Sequence, residues 1–153
     1  MVLLIMVLMF GVAAFSFQGV TEADTLRKPA GELQRMAREA VRRAGLYERP
    51  QFILFEKTGF VIHYRNDASA VANAESNTVW QRRVEVPDKM TLKLRRWGAK
   101  GWQPAAGQRW VVLPSGLCEP LAVRMEMGGS SIELQFNPLT GGVAEETLNI
   151  AAP

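Results

Sequence analysis

Residues 21–45, TEADTLRKPAGELQRMAREAVRRAG, decide how this chain folds. Within them Leu33, Met36, Ala37, Ala40, Val41 and Ala44 recur at spacings of three and four, which makes one face of a helix apolar. Arg35, Arg38, Glu39, Arg42 and Arg43 take the other face. Gly45 supplies a C-terminal stop, with Pro50 shortly beyond it. Pro29 has no amide N–H to donate, and it predicts a kink or restart between two halves of the helix.

Upstream, residues 2–17 (VLLIMVLMFGVAAFSF) are apolar apart from Ser16, and no charge appears before Glu22. As a helix, residues 1–21 would be about 31 Å long, close to the ~30 Å hydrocarbon layer of a bilayer. A cleaved signal peptide needs a basic leading region, and nothing basic precedes the run. A core helix is rarely apolar around its whole circumference. Residues 1–21 are therefore expected to span a membrane once. Gly11, Ala13, Ala14 and Gly19 would be the positions where other helices approach closely, because helix association in lipid relies on packing of small residues. The nearest cations, Arg27 and Lys28, follow the span, and the positive-inside rule read literally places the C-terminal part in the cytoplasm, a placement that a basic leader ahead of the span would reverse.

Downstream of Pro50 the helical period gives way to alternation. Residues 51–56 (QFILFE) and 59–64 (GFVIHY) flank Lys57-Thr58 and read as a hairpin. Further strands are predicted at 79–86, 90–95, 109–113, 121–127, 131–136 and 143–150. Residues 66–77 and 97–108 read as loops, the second punctuated by Gly and Pro and carrying Trp97 and Trp102. The expected organisation is a transmembrane helix at 1–21, an amphipathic helix half at 22–46 and a β-rich globular part at 47–153. The fold class is α+β: a long interrupted N-terminal helix whose apolar stripe packs on one face of an antiparallel sheet.

Composition excludes several chemistries. The chain has 153 residues, 18 Lys plus Arg against 15 Asp plus Glu, one His and one Cys. It can form no intramolecular disulfide and no Cys/His zinc centre. Phosphate-cradling Gly-rich motifs are absent. His63 alternates with Phe60, Ile62 and Tyr64 in a predicted strand, Ser115 lacks a nucleophile elbow, and Cys118 has no neighbour that would activate it. Glu145 and Glu146, as neighbours on a strand, point to opposite faces. No catalytic, cofactor-binding or metal-binding residue is assigned, and an enzyme is not expected. Basic residues concentrate early, since only Arg109 and Arg124 follow residue 100. Arg82, Arg83, Arg95 and Arg96, near Trp80, Trp97 and Trp102, form a candidate DNA-contact surface, against the preferred reading of a solvated sheet face with core tryptophans.

The order of these features carries a family likeness. An apolar span continuing into LQRMAREAVRR (33–43), then FILF (52–55) and FVI (60–62), resembles the prepilin-like proteins, in particular the H-type minor pseudopilins of type II secretion and their FimT-like pilin relatives. The ending Phe136-Asn137-Pro138-Leu139-Thr140-Gly141-Gly142-Val143 is similar to the Asp-Pro-Leu-Thr-Gly-x-Val common in that group, with Asn137 where Asp is usual. Val112-Leu113-Pro114-Ser115-Gly116 resembles the strand and turn that precede it. The resemblance implies a structural subunit anchored in the bacterial inner membrane by one span, with its globular part in the periplasm. It would be trimmed and methylated by a prepilin peptidase, and would assemble through its helix with other pseudopilins and inner-membrane secretion components to support export across the outer membrane. A membrane is an expected partner and nucleic acid is not; the alternative is a minor type IV pilin whose basic β surface binds DNA or another ligand. The family begins with a basic leader, a Gly cleavage site and a Phe-Thr-Leu-x-Glu start that have no counterpart before Met1-Val2-Leu3, so Met1 is expected to be an internal or truncated start.

Overall fold

The computed structural model describes residues 2–64 and 80–151, with side chains over 22–62 and 82–151. One helix, α1 (Val2–Tyr47), is followed by nine strands: β1 (Gln51–Glu56), β2 (Gly59–Tyr64), β3 (Trp80–Glu85), β4 (Thr91–Arg96), β5 (Gln103–Pro104), β6 (Arg109–Val112), β7 (Leu121–Met127), β8 (Ser130–Phe136) and β9 (Val143–Asn149). The fold is α+β, with an N-terminal helix packed on antiparallel strands.

Two features differ from the expectation. First, α1 is continuous through Pro29 instead of interrupted there. Pro29 is itself buried, and Leu26, Ala30 and Leu33 around it are at most 2% exposed. Burial on both sides of the proline keeps the chain helical where an isolated helix would break.

Second, the strands form two sheets where one was expected. One has the order β3-β2-β1-β6 and the other β5-β4-β7-β8-β9. After β3 the chain turns through Pro87–Met90, where Met90 N–H donates to Pro87 O at 2.8 Å, and β4 pairs with β7 instead of β3. Alternating apolar residues identify strands but do not state their partners. The β1–β2 hairpin closes with Glu56 opposite Gly59 around Lys57-Thr58. Gly59 is needed there, since a Cβ would lie 2.0 Å from the carbonyl oxygen of Val84. Inside the predicted loop 97–108, Gln103 and Pro104 add a short edge strand to β4. Residues 66–77, read as a loop, lie outside the described residues.

The core lies where α1 and the two sheets meet. Ile53, Phe55, Phe60 and Ile62 come from the four-stranded sheet, and Leu94, Val123, Met125, Ile132 and Leu134 from the five-stranded one; all are at most 1% exposed. Trp110 of β6 crosses to Phe136 of β8, ring centroids 4.6 Å apart at 55°, and its indole N–H donates to Glu119 O at 2.8 Å. That bond satisfies the one polar atom of a fully buried indole.

Candidate functional site

The element with most of the chemistry is α1 and what grips it. Leu26, Ala30, Leu33, Met36, Ala37, Ala40 and Ala44 form its buried seam, each at most 2% exposed, and Val41 packs half-buried at its edge. Four alanines on that seam bring the sheets close to the helix backbone. Leu26 and Ala30 extend the stripe beyond what periodicity from Leu33 onward showed. A fringe of ion pairs borders the seam. Arg82 of β3 reaches Glu32 at 2.9 Å and Glu39 at 3.6 Å, Glu39 pairs with Arg43 at 3.1 Å, and Glu32 also pairs with Arg35. Gly11, Ala13, Ala14 and Gly19, expected to pack against other helices, fall in 2–21, whose side chains lie outside the described residues.

Two clasps hold the seam, one near each end. Toward the C-terminal end of α1, the motif residues Pro138, Leu139, Thr140 and Gly141 form a tight turn against it. Asn137 O accepts from the amides of Thr140 (3.3 Å) and Gly141 (2.9 Å), and Asn137 N–H donates to Gly142 O at 2.8 Å. The Asn137 side-chain oxygen accepts from Leu139 N–H at 2.8 Å. An Asp carboxylate would accept the same bond, so Asn137 preserves the turn that the family motif would build with Asp. Gly141 adopts φ +63°, and a Cβ on it would lie 2.5 Å from Val41 Cγ2 and 3.4 Å from Ala37 O. Only glycine fits both the conformation and the gap. The turn also meets the 112–118 segment, where Cys118 N–H donates to Pro138 O at 2.8 Å.

The second clasp lies at Glu22. Ser130, fully buried at the start of β8, donates its hydroxyl to Glu22 Oε2 at 2.9 Å and accepts from Ala151 N–H at 3.0 Å. One hydroxyl thereby joins the start of the described helix face, the β7–β8 turn and the end of the chain. No local sequence signal marks this pair; Gly128-Gly129 marks only the turn between them.

The candidate DNA-contact arginines do not converge. Arg82 and Arg83 lie on β3 and Arg95 and Arg96 on β4, in different sheets. Each has a carboxylate: Arg82 has Glu32 and Glu39, Arg83 has Glu56 at 3.1 Å, Arg95 has Glu133 at 3.4 Å, and Arg96 has Glu119. Arg95 also stacks on Trp102, as does Arg124, each guanidinium 4.7 Å from the ring centroid. These groups neutralise one another along the sheet surfaces, so these four arginines do not make one basic face for a phosphate backbone.

Of the residues considered for catalysis, Ser115 and Cys118 share one turn, and His63 lies apart from them. The backbone of His63 on β2 is separated from that of Cys118 by β1 and β6, three strand spacings or about 14 Å. Cys118 is buried, its sulfur donates to Asn137 O at 3.5 Å, and burial pushes its thiol up against weaker backbone contacts that pull it down. A thiol held in that state is a packing group, not a nucleophile. The His63 side chain is outside the described residues. Among the described residues no three His, Cys, Asp or Glu side chains gather to hold a metal ion. Glu145 and Glu146 are both exposed on the edge strand β9, and Glu146 accepts from the Gln34 amide of α1 at 3.2 Å. Among the described residues no helix is long and apolar enough to cross a membrane; the apolar run 2–21, expected to do so, lies outside those whose side chains are described.

The chain matches no protein-family profile and no curated protein sequence. Solved structures share its fold. GspH of E. coli, in solution, superposes with a TM-score of 0.53 at 17% identity, over 84% of this chain and 91% of that one. The minor pseudopilin EpsH from the type II secretion system of Vibrio cholerae superposes at 0.54 and 14% identity, over 86% of this chain and 98% of that one. A second structure of the same EpsH gives 0.54 at 15% identity, over 84% and 96%. A helix laid along the seam of two antiparallel sheets is thus, over most of this chain, the fold of the GspH and EpsH minor pseudopilins.

Proposed function

We propose that this chain is a minor pseudopilin-like structural subunit, anchored by residues 1–21 in the bacterial inner membrane with its globular part in the periplasm. It would assemble through α1 with other pseudopilins and inner-membrane components of a type II secretion system to support export across the outer membrane. The observation that carries the reading is α1 itself. Its buried residues from Leu26 to Ala44 pack into the core that the two sheets share, while the sequence of the same 46-residue helix begins with an uncharged apolar run. A helix of that build suits a subunit that passes from bilayer to helical bundle, where packing replaces lipid contact without a change of polarity. The likeness to GspH and EpsH supports the same role. The two most exposed large apolar groups among the described residues, Trp97 at 86% and Leu139 at 70%, belong to loops, which suits contact with other components.

The test is the intact mass and N-terminal sequence of the protein made from its native locus, with and without the prepilin peptidase, in membrane and soluble fractions. A membrane-bound form whose trimming and N-methylation depend on the peptidase is expected. A mass that does not respond to the peptidase refutes the proposal.

A further inference from the structure

Among the described residues, the outward face of α1 from Arg27 to Arg42 is a strip of mostly unpaired positive charge. Arg27, Lys28, Gly31, Arg35, Arg38 and Arg42 are all exposed, and at 100° per residue they fall within about 100° of arc. The strip runs about 22 Å along the axis from Arg27 to Arg42. The helix carboxylates are turned elsewhere. Glu32 and Glu39 pair with Arg82, Arg35 and Arg43 at the seam, and Glu22 is held by Ser130. Asp24 alone shares the strip, at its leading end. Arg27, Lys28, Arg38 and Arg42 have no carboxylate within 4 Å among the described residues, and Arg35 shares its Glu32 with Arg82.

In the middle of the strip sits Gly31. Glycine weakens a helix relative to alanine, and nothing inside this fold requires it, because a Cβ there would meet no atom within 4 Å. Its absence of a side chain leaves a notch between Arg27 and Arg35 into which another backbone fits. Two independent features therefore coincide on one face: a place for close helix approach, and a run of exposed cations of which Arg27, Lys28, Arg38 and Arg42 have no carboxylate within 4 Å among the described residues.

We infer that this strip docks a helix of a different filament subunit, one carrying Asp or Glu at three- and four-residue spacing and crossing α1 at Gly31. The inference deepens the pseudopilin reading and rests on it for the partner's place in the filament. A second copy of this chain is the wrong occupant, since it would set arginines against arginines. With residues 1–21 standing across a bilayer, as proposed, a planar lipid surface would meet only one end of the strip, whereas a second helix would meet all of it.

A photo-reactive residue replacing Arg35 in the full chain, expressed in cells that hold the secretion system, reads the contact directly. A cross-link to a heterologous subunit with an acidic helix face is expected, mapped by mass spectrometry to that face. With Arg38→Glu and Arg42→Glu the yield falls about tenfold or more, since each contact turns from attractive to repulsive, and changing the partner's facing carboxylates to Arg restores it. A homodimer product, or a yield indifferent to the reversal, overturns the inference. So does loss of the protein cross-link in favour of charge-dependent binding of the purified full chain to phosphatidylglycerol vesicles. Peptidase-dependent trimming is scored in the same cells: a trimmed chain without the heterologous product defeats the strip alone, and an untrimmed chain defeats the pseudopilin reading.

Discussion

Replacing Gly141 by Ala tests whether the C-terminal turn is built to the shape of the helix. A non-glycine residue at φ +63° costs about 1–2 kcal/mol. The new methyl also lands 2.5 Å from Val41 Cγ2 and 3.4 Å from Ala37 O, and a β-branched valine in a helix strongly prefers one χ1 rotamer, so swinging Val41 away is itself costly. Overpacking of this size adds about 1–3 kcal/mol. The expected total is about 2–5 kcal/mol, and Val41→Ala divides it. Alone, that substitution on a half-buried side chain costs about 1 kcal/mol of lost apolar contact. In combination it removes the clashing atom, so Gly141→Ala in the Val41→Ala background costs only the conformational part, and the coupling energy between the two positions is about 1–3 kcal/mol. The assay is urea unfolding of the full chain in detergent, followed by tryptophan fluorescence and by circular dichroism, for all four members of the cycle. A Gly141→Ala cost below about 0.5 kcal/mol, or one that is the same in both backgrounds, would refute the account of the clasp.

Ala40→Glu places a carboxylate at a fully buried position on the seam and is expected to cost more than about 3 kcal/mol; an unchanged melting temperature would show that the seam is not packed as described. Ser130→Ala removes the hydroxyl that joins Glu22 to the Ala151 amide. About 1–3 kcal/mol should be lost, with faster amide exchange at the end of β9 and around residue 26 together; faster exchange at one site alone would separate what the structure joins. Cys118 gives a pH signature. Its folded thiol ionises above its ordinary value, so as pH rises past about 9 the unfolded chain loses its proton first and is favoured. Stability should fall there by up to about 1.4 kcal/mol per pH unit from this group, and Cys118→Ala should flatten that segment of the curve; an identical alkaline slope in the variant removes the burial argument.

Much of this arrangement was legible in residues that act on near neighbours. The β1–β2 hairpin follows from two alternating runs around Lys57-Thr58-Gly59, and the helix face follows from three- and four-residue spacing. What the sequence concealed depends on distant partners. Pro29 reads as a break because local chemistry argues for one, and the sheets that bury it are contributed by residues far along the chain. The division into two sheets hides for the same reason, since β4 chooses β7 over β3 through packing. The arginines read as a candidate basic patch, beside the preferred solvated sheet face, because their acids are remote: Arg82 finds Glu32 fifty residues earlier and Arg95 finds Glu133 thirty-eight later. The Pro138-Leu139-Thr140-Gly141 turn was visible as a motif, but its purpose, room for Val41, appears only once the helix lies against it.

The two clasps have a mechanical consequence. Glu22 and Val41 are separated by 19 residues of helix, about 28 Å along the axis. A pull on α1 from its leading end therefore loads the whole seam at once, in shear, and meets a hydrogen-bonded stop at Ser130 and a steric one at Gly141. Peeling the helix away from one end would instead break contacts in turn, at low force. A chain pulled by its helix resists along its strong direction, and both clasps pass the load to the five-stranded sheet.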